Sequence, residues 1–152
     1  FAVTDQGPGM DVLALQQALD PFFTDGAKHP FRRVGLGLPF LKQAAEQTGG
    51  AFDVQSEAGR GTAVRCRFAT RHLDTPPLGD LAGSFVSLLA YAGAHELTIH
   101  RSLGDRGYDV SRRELAETLG GLDDAESLTL AREYLRAQED DLRNEGSCPC
   151  RN

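Results

Sequence analysis

The sequence predicts an α+β fold: a two-layer α/β sandwich with helices on one face of a mixed sheet, followed by a small α-β-β-α-α unit. Three observations carry this expectation. Over residues 1–72 the apolar positions switch between period two and period 3.6 in the order strand, helix, loop, helix, hairpin. The stretch Asp74-Thr75-Pro76-Pro77 breaks that pattern, and a second one restarts beyond it. At 152 residues and 40% hydrophobic content, the chain can bury one good core and a small appended unit.

Each element has a local reason. Phe1 to Thr4 reads as a strand that ends in the turn Asp5-Gln6-Gly7-Pro8-Gly9. Val12, Leu13, Leu15, Ala18 and Leu19 then recur at helical spacing until Pro21 stops the helix. From Thr24 to Arg33 there is no apolar periodicity, and Gly26, Pro30, Lys28, His29, Arg32 and Arg33 mark a basic loop placed to act as a lid. Leu38, Leu41, Ala44 and Ala45 share one face of a helix from Leu36 to Gln47, which Gly49-Gly50 terminates. Ala51 to Gln55 and Thr62 to Phe68 alternate as strands around a turn from Glu57 to Gly61.

Beyond the break, Leu78 to Tyr91 forms a helix with Leu81, Phe85, Leu88 and Leu89 on one side. His95 to Leu103 and Gly107 to Val110 flank the hairpin signal Gly104-Asp105-Arg106-Gly107. Ser111-Arg112-Arg113-Glu114 is a capping box, Gly120-Gly121 ends its helix, and Leu128 to Leu142 is a last amphipathic helix anchored by Leu130, Tyr134 and Leu135. Asp123-Asp124 places negative charge before that helix, where the dipole favours it. The expected organisation is therefore 1–72, an acidic unit over 73–143, and a disordered tail over 144–152.

The net charge of −6 is uneven: residues 1–72 carry 8 Lys+Arg against 7 Asp+Glu, and 73–152 carry 8 against 15. An acidic half with no clustered Lys and Arg argues against a nucleic-acid partner. No apolar run reaches the roughly 20 residues that span a bilayer, and no signal peptide opens the chain, so a soluble, cytoplasmic protein is expected. Cys66 alternates with Val64 and Phe68 and reads as a half-buried packing residue. Cys148 and Cys150 supply at most half a tetrahedral metal site and fall in the expected tail. His29, His72, His95 and His100 show no metal-ligand spacing, and P-loop and Gly-x-Ser-x-Gly motifs are absent, so no metal and no catalytic nucleophile is assigned.

Two turns can carry chemistry. Asp5 ends a strand beside Gly7 and Gly9, which allow a flat ring to approach the backbone, so its carboxylate can accept from an exocyclic amine. An ordinary Asx-turn explains the pentapeptide equally well. Gly35-Leu36-Gly37-Leu38 opens a helix after the basic loop and offers free N–H groups to an anion, although glycines that merely permit tight helix-to-sheet packing would look the same. Thr62, after Gly59 and Gly61, can bring a hydroxyl to the same place or simply be a β-branched strand residue. Phe22 and Phe23 read as core or hinge residues at the base of the lid.

Taken in order, Asp5-Gln6-Gly7-Pro8-Gly9, Pro21-Phe22-Phe23-Thr24, Gly35-Leu36-Gly37-Leu38 and Ser56 through Gly59-Arg60-Gly61-Thr62 resemble the ATP site of the GHKL superfamily, which holds gyrase, heat-shock chaperone, histidine kinase and mismatch-repair ATPases. The compact lid resembles the histidine kinase branch. The resemblance implies ATP or ADP as ligand, with Asp5 reading adenine, Gly7, Gly9 and Met10 giving it room, and Thr24, Lys28, Arg32 and Arg33 closing over the phosphates. It further implies that Gly35, Leu36, Gly37 and Leu38 cradle phosphate and that Thr62 supports the base. In that superfamily an asparagine helix ahead of the first strand holds magnesium. Since the chain opens at Phe1, inside that strand, a truncated module is expected, with Mg2+ bound only when the helix is present.

Val34 to Leu81 is similar to small stand-alone ATP-binding proteins related to sensor kinases, often encoded beside hydrogenase or NADH-dehydrogenase-type subunits. The leading expectation is an ATP-binding module whose intact parent transfers or hydrolyses the γ-phosphate, with an unknown protein partner or phosphoacceptor; this piece alone is expected to be inactive. The alternative is an ATP-dependent regulatory switch with little turnover, in which the acidic unit from Leu78 to Leu142 meets the partner.

Overall fold

The computed structural model describes residues 1–23, 35–91 and 95–144. The chain divides into two compact units, Phe1–Pro77 and Leu78–Asn152.

In the first unit, β1 (Ala2–Thr4), β3 (Gly61–Arg67) and β2 (Ala51–Glu57) form a three-stranded sheet in the order β1-β3-β2. Both pairings are antiparallel, with Val3 opposite Val64, and Val54 opposite Val64 from the other side. Among the described residues every pairing is antiparallel, where the sequence led us to expect a mixed sheet. Helix α1 (Val12–Ala18) starts at Asp11, whose carboxylate accepts the Ala14 N–H at 2.8 Å. Its apolar spacing is helical as read, yet it forms no core: Val12 and Leu13 are exposed. Helix α2 (Gly37–Gln47) packs on β2 and β3 through half-buried Leu38, Leu41 and Ala44 and buried Ala45. Thr48 closes it by donating its hydroxyl to the Ala44 and Ala45 carbonyls.

Of the two readings of Phe22 and Phe23, the core one needs correction, because Phe22 is 93% exposed and Phe23 38%. The Asp20 carboxylate accepts the Phe22 N–H and the Asp20 carbonyl accepts the Phe23 N–H.

The second unit runs α3 (Leu81–Ala90), β4 (Thr98–Leu103), β5 (Arg106–Ser111), α4 (Arg112–Leu119) and α5 (Ala125–Asn144). β4 and β5 form a two-stranded antiparallel sheet in which Leu103 faces Arg106 across a two-residue turn. Gly104 takes the positive φ of 65° that the first position of such a turn favours. Buried Ala82, Leu89, Val110, Leu115, Leu122, Ala131 and Leu135 make the core. Leu88 is exposed, so Ala82, Phe85, Val86 and Leu89 form the inner face of α3.

On α5 the inner stripe is Leu128, Ala131, Leu135, Glu139 and Leu142, spaced three and four apart; Leu130 and Tyr134 lie outside it, 46% and 43% exposed. Glu139 is the reason for the misreading, since a carboxylate interrupts the apolar stripe in sequence. It is nonetheless buried, accepting from the Tyr108 hydroxyl at 2.7 Å and from Arg101 Nε at 3.0 Å. Desolvation, followed by the hydrogen bond to Glu139, pushes the Tyr108 phenol well above its ordinary range. Arg106 also donates to the Asp141 and Leu142 carbonyls at the end of α5.

Candidate functional site

At the end of β1 the chain turns sharply, and the turn is bolted to the β2–β3 hairpin. The Asp5 N–H bonds the Thr62 carbonyl at 2.9 Å, the Gly59 N–H bonds the Pro8 carbonyl at 2.6 Å, and the Met10 N–H bonds Ser56 Oγ at 2.8 Å. Gly9 and Gly61 are required by this contact. A Cβ on Gly9, at φ 63°, would stand 1.9 Å from the Glu57 carbonyl oxygen, and one on Gly61, at φ 107°, would stand 2.1 Å from that of Asp5.

Strand alternation places Asp5, Thr62 and Ser56 in one row across β1, β3 and β2, on the face that also carries Val3, Val64 and Val54. The Asp5 carboxylate uses Oδ1 to accept the Gly7 N–H at 2.8 Å, which is the Asx-turn the residues allowed. The same turn leaves the second carboxylate oxygen for another donor, so the turn and a base-reading role are compatible.

Three residues separate α2 from β2, and α2 packs back along β2 and β3, so its N-terminus points to the end of the sheet that holds this row. Leu36 is the N-cap and makes no side-chain cap bond, and no acidic residue occupies the first turn. The N–H groups there are available to an anion, and Pro39 removes one donor that a first turn does not use internally. Among the described residues, no heavy atom lies within 4 Å of a Cβ built on Gly35 or on Gly37, so the described part of the sheet does not demand glycine at either position. Thr24, Lys28, Arg32 and Arg33, with the rest of the expected lid, lie outside the described residues, as do Cys148 and Cys150.

Sequence reasoning named Ser56 only as the start of the fourth motif and gave it no role. Its Oγ contacts Thr62 Oγ1 at 2.9 Å and the Gly61 carbonyl at 3.1 Å as well as the Met10 N–H. The available signal was alternation: Phe52, Val54 and Ser56 share a face, and the Glu57–Gly61 turn puts Ser56 opposite Thr62. Cys66 is buried, and burial pushes its thiol up, which fits packing.

The family model of the histidine kinase-, DNA gyrase B- and HSP90-like ATPases matches residues 1–72. Residues 1–72 therefore form a domain of that family. A sensor kinase, CckA, of Brucella abortus (strain 2308) is 31% identical over a 143-residue alignment that takes in 80% of this chain and 15% of that protein. A protein described as a sensor, from Shewanella frigidimarina (strain NCIMB 400), is 33% identical over 74 residues, 49% of this chain and 11% of the relative. The chain thus spans a small part of the curated relatives it matches. Among solved structures, none matches the chain.

The ATPase domain over residues 1–72 is an ATP-binding module of histidine kinase type, and the sensor relatives favour that reading over a hydrogenase-linked switch. Among the described residues of the chain, no three His, Cys, Asp or Glu side chains cluster to hold a metal ion. Nor is any described helix long and apolar enough to cross a membrane. The β4–β5 hairpin of the second unit carries open grooves of about 470 and 400 Å³, both lined by His100 and Asp109. They are shallow surface troughs in the other unit, and neither includes a residue of the ATPase row.

Proposed function

We propose that residues 1–72 seat ATP between the Asp5, Thr62 and Ser56 row and the N-terminus of α2, in a parent protein that passes the γ-phosphate to an acceptor. Asp5 takes the exocyclic amine of adenine. Gly7, Gly9 and Met10 form the wall the ring lies against, and Thr62 supports the base from the next strand. The N–H groups of Gly35, Leu36, Gly37 and Leu38 meet the phosphates, with Thr24, Lys28, Arg32 and Arg33 closing over them. Such chemistry works by positioning and charge neutralisation, so the module needs no covalent nucleophile of its own. Mg2+, the acceptor, a protein partner for the acidic unit and a cytoplasmic setting complete the proposal.

One observation carries this reading. A Cβ on Gly35 or Gly37 would meet no heavy atom of the described residues, at a helix start with no side-chain cap and no acidic residue in its first turn. The test is calorimetric titration of the full chain with ATP and with ADP, beside Asp5→Asn. A hydrogen bond to a charged acceptor is worth about 1.5–3 kcal/mol, so Asp5→Asn is expected to weaken ATP by roughly ten- to a hundredfold. Equal affinity in the variant would remove Asp5 from the site.

A further inference from the structure

We propose that Ser56 fixes the hydrogen-bonding sense of Thr62, so that the base-reading row accepts protons and does not donate them. The consequence is selection of a 6-amino purine over a 6-oxo purine. This inference rests on the reading of Asp5 and Thr62 as the pair that meets the base.

The argument is a proton count. A serine or threonine hydroxyl has one proton and two lone pairs. Ser56 Oγ has three polar neighbours: the Met10 N–H at 2.8 Å, the Gly61 carbonyl at 3.1 Å and Thr62 Oγ1 at 2.9 Å. The Met10 N–H only donates and occupies one lone pair. The Gly61 carbonyl only accepts and takes the single Ser56 proton. The remaining Ser56 lone pair is filled when Thr62 donates, and this is the one arrangement in which all three contacts are hydrogen bonds at once. Thr62 then has no proton left for a ligand and shows only lone pairs.

Asp5 stands in the same row, with Oδ1 engaged by the Gly7 N–H and its other oxygen an acceptor when ionised. Two acceptors match an amino group at position 6 of a purine. Against a 6-oxo group they set lone pair to lone pair and leave the facing polar atoms unpaired, the situation that recognition sites reject most strongly. Ser56 therefore acts through Thr62 as a positioning residue and does not itself touch the base.

The experiment measures ATP and inosine triphosphate affinity by calorimetry on the full chain for wild type, Ser56→Ala, Ser56→Thr, Thr62→Val and the double variant Ser56→Ala/Thr62→Val. Wild type is expected to prefer ATP. Ser56→Ala frees the Thr62 proton and lowers the ATP-to-inosine-triphosphate ratio by about tenfold, and Ser56→Thr, which keeps the hydroxyl, restores it. With Thr62→Val already in place there is no hydroxyl to orient, so adding Ser56→Ala leaves the ratio unchanged. If Ser56→Ala does not fold, Ser56→Cys, a weak donor and acceptor, is expected to shift the ratio in the same direction by less.

A purely structural serine gives a different result: both nucleotides weaken by one common factor, and the inference is overturned. A ratio that still falls in the Thr62→Val background overturns it as well. Wild type taking both nucleotides alike, with Asp5→Asn also without effect, overturns the base-reading itself.

Discussion

At Gly35 and Gly37 a methyl group would meet none of the described residues, whereas at Gly9 it would enter the Glu57 carbonyl. The two kinds of glycine therefore predict opposite phenotypes. Gly37→Ala is expected to leave stability within roughly 0.5 kcal/mol of wild type and to weaken ATP about tenfold, because the new Cβ occupies the approach to the helix N–H groups. Gly9→Ala is expected to cost roughly 1–3 kcal/mol or more through its left-handed backbone and the carbonyl clash. Urea unfolding beside calorimetry on the same two variants separates the cases.

The residues that end turns, Asp5, Gly9, Gly61 and Thr62, were legible in the sequence because each answers a local backbone demand. Ser56 was not, since its role lies in a partner on the neighbouring strand. For Phe22 and Phe23 aromatic content argues for a core, and their exposure removes that half of the core-or-hinge reading.

Among the elements, α5 shows how a buried carboxylate can hide a helix face. Leu135→Ala is expected to cost about 2–5 kcal/mol and Leu130→Ala less than about 1 kcal/mol, by thermal or urea unfolding, although the sequence presents the two leucines alike. Glu139→Ala is expected to cost about 3–5 kcal/mol, because it leaves Arg101 and the Tyr108 hydroxyl without their partner beneath the hairpin.

The helix starts of this unit also set its acid sensitivity. The Gly83 N–H and then the Arg132 guanidinium hold the Asp80 carboxyl below its ordinary range at the start of α3. The Ser127 N–H does the same for Asp124 ahead of α5, and the Arg113 N–H followed by the Ser111 hydroxyl for Glu96 at α4. A carboxyl with a lowered folded-state pKa adds stability above its unfolded value, and that stability is lost as pH falls through the folded one. Denaturation midpoints are expected to hold from neutrality down to the ordinary carboxylate range and to drop below it. Asp80→Asn should flatten part of that drop.

For the whole molecule, the two units explain why composition and motif point different ways. The near-neutral first unit holds every candidate nucleotide contact, and the acidic second unit holds the larger described core. Element order in both units was legible, because period and turn signals are local. The antiparallel register that aligns Asp5, Thr62 and Ser56 was not, since strand order is fixed by contacts that pair distant segments.

A ligand that binds only the native state raises its stability by roughly 2.7 kcal/mol at a hundredfold excess over Kd. Saturating ATP should therefore raise the unfolding midpoint of the first unit. The most direct measurement of where nucleotide sits is an amide chemical-shift titration of the full chain with ATP. The account predicts the largest shifts at Asp5, Gly9, Met10, Leu36 to Leu38 and Thr62, with Leu89, Val110 and Leu135 unmoved. Shifts confined to the β4–β5 hairpin, or spread evenly over both units, would contradict it.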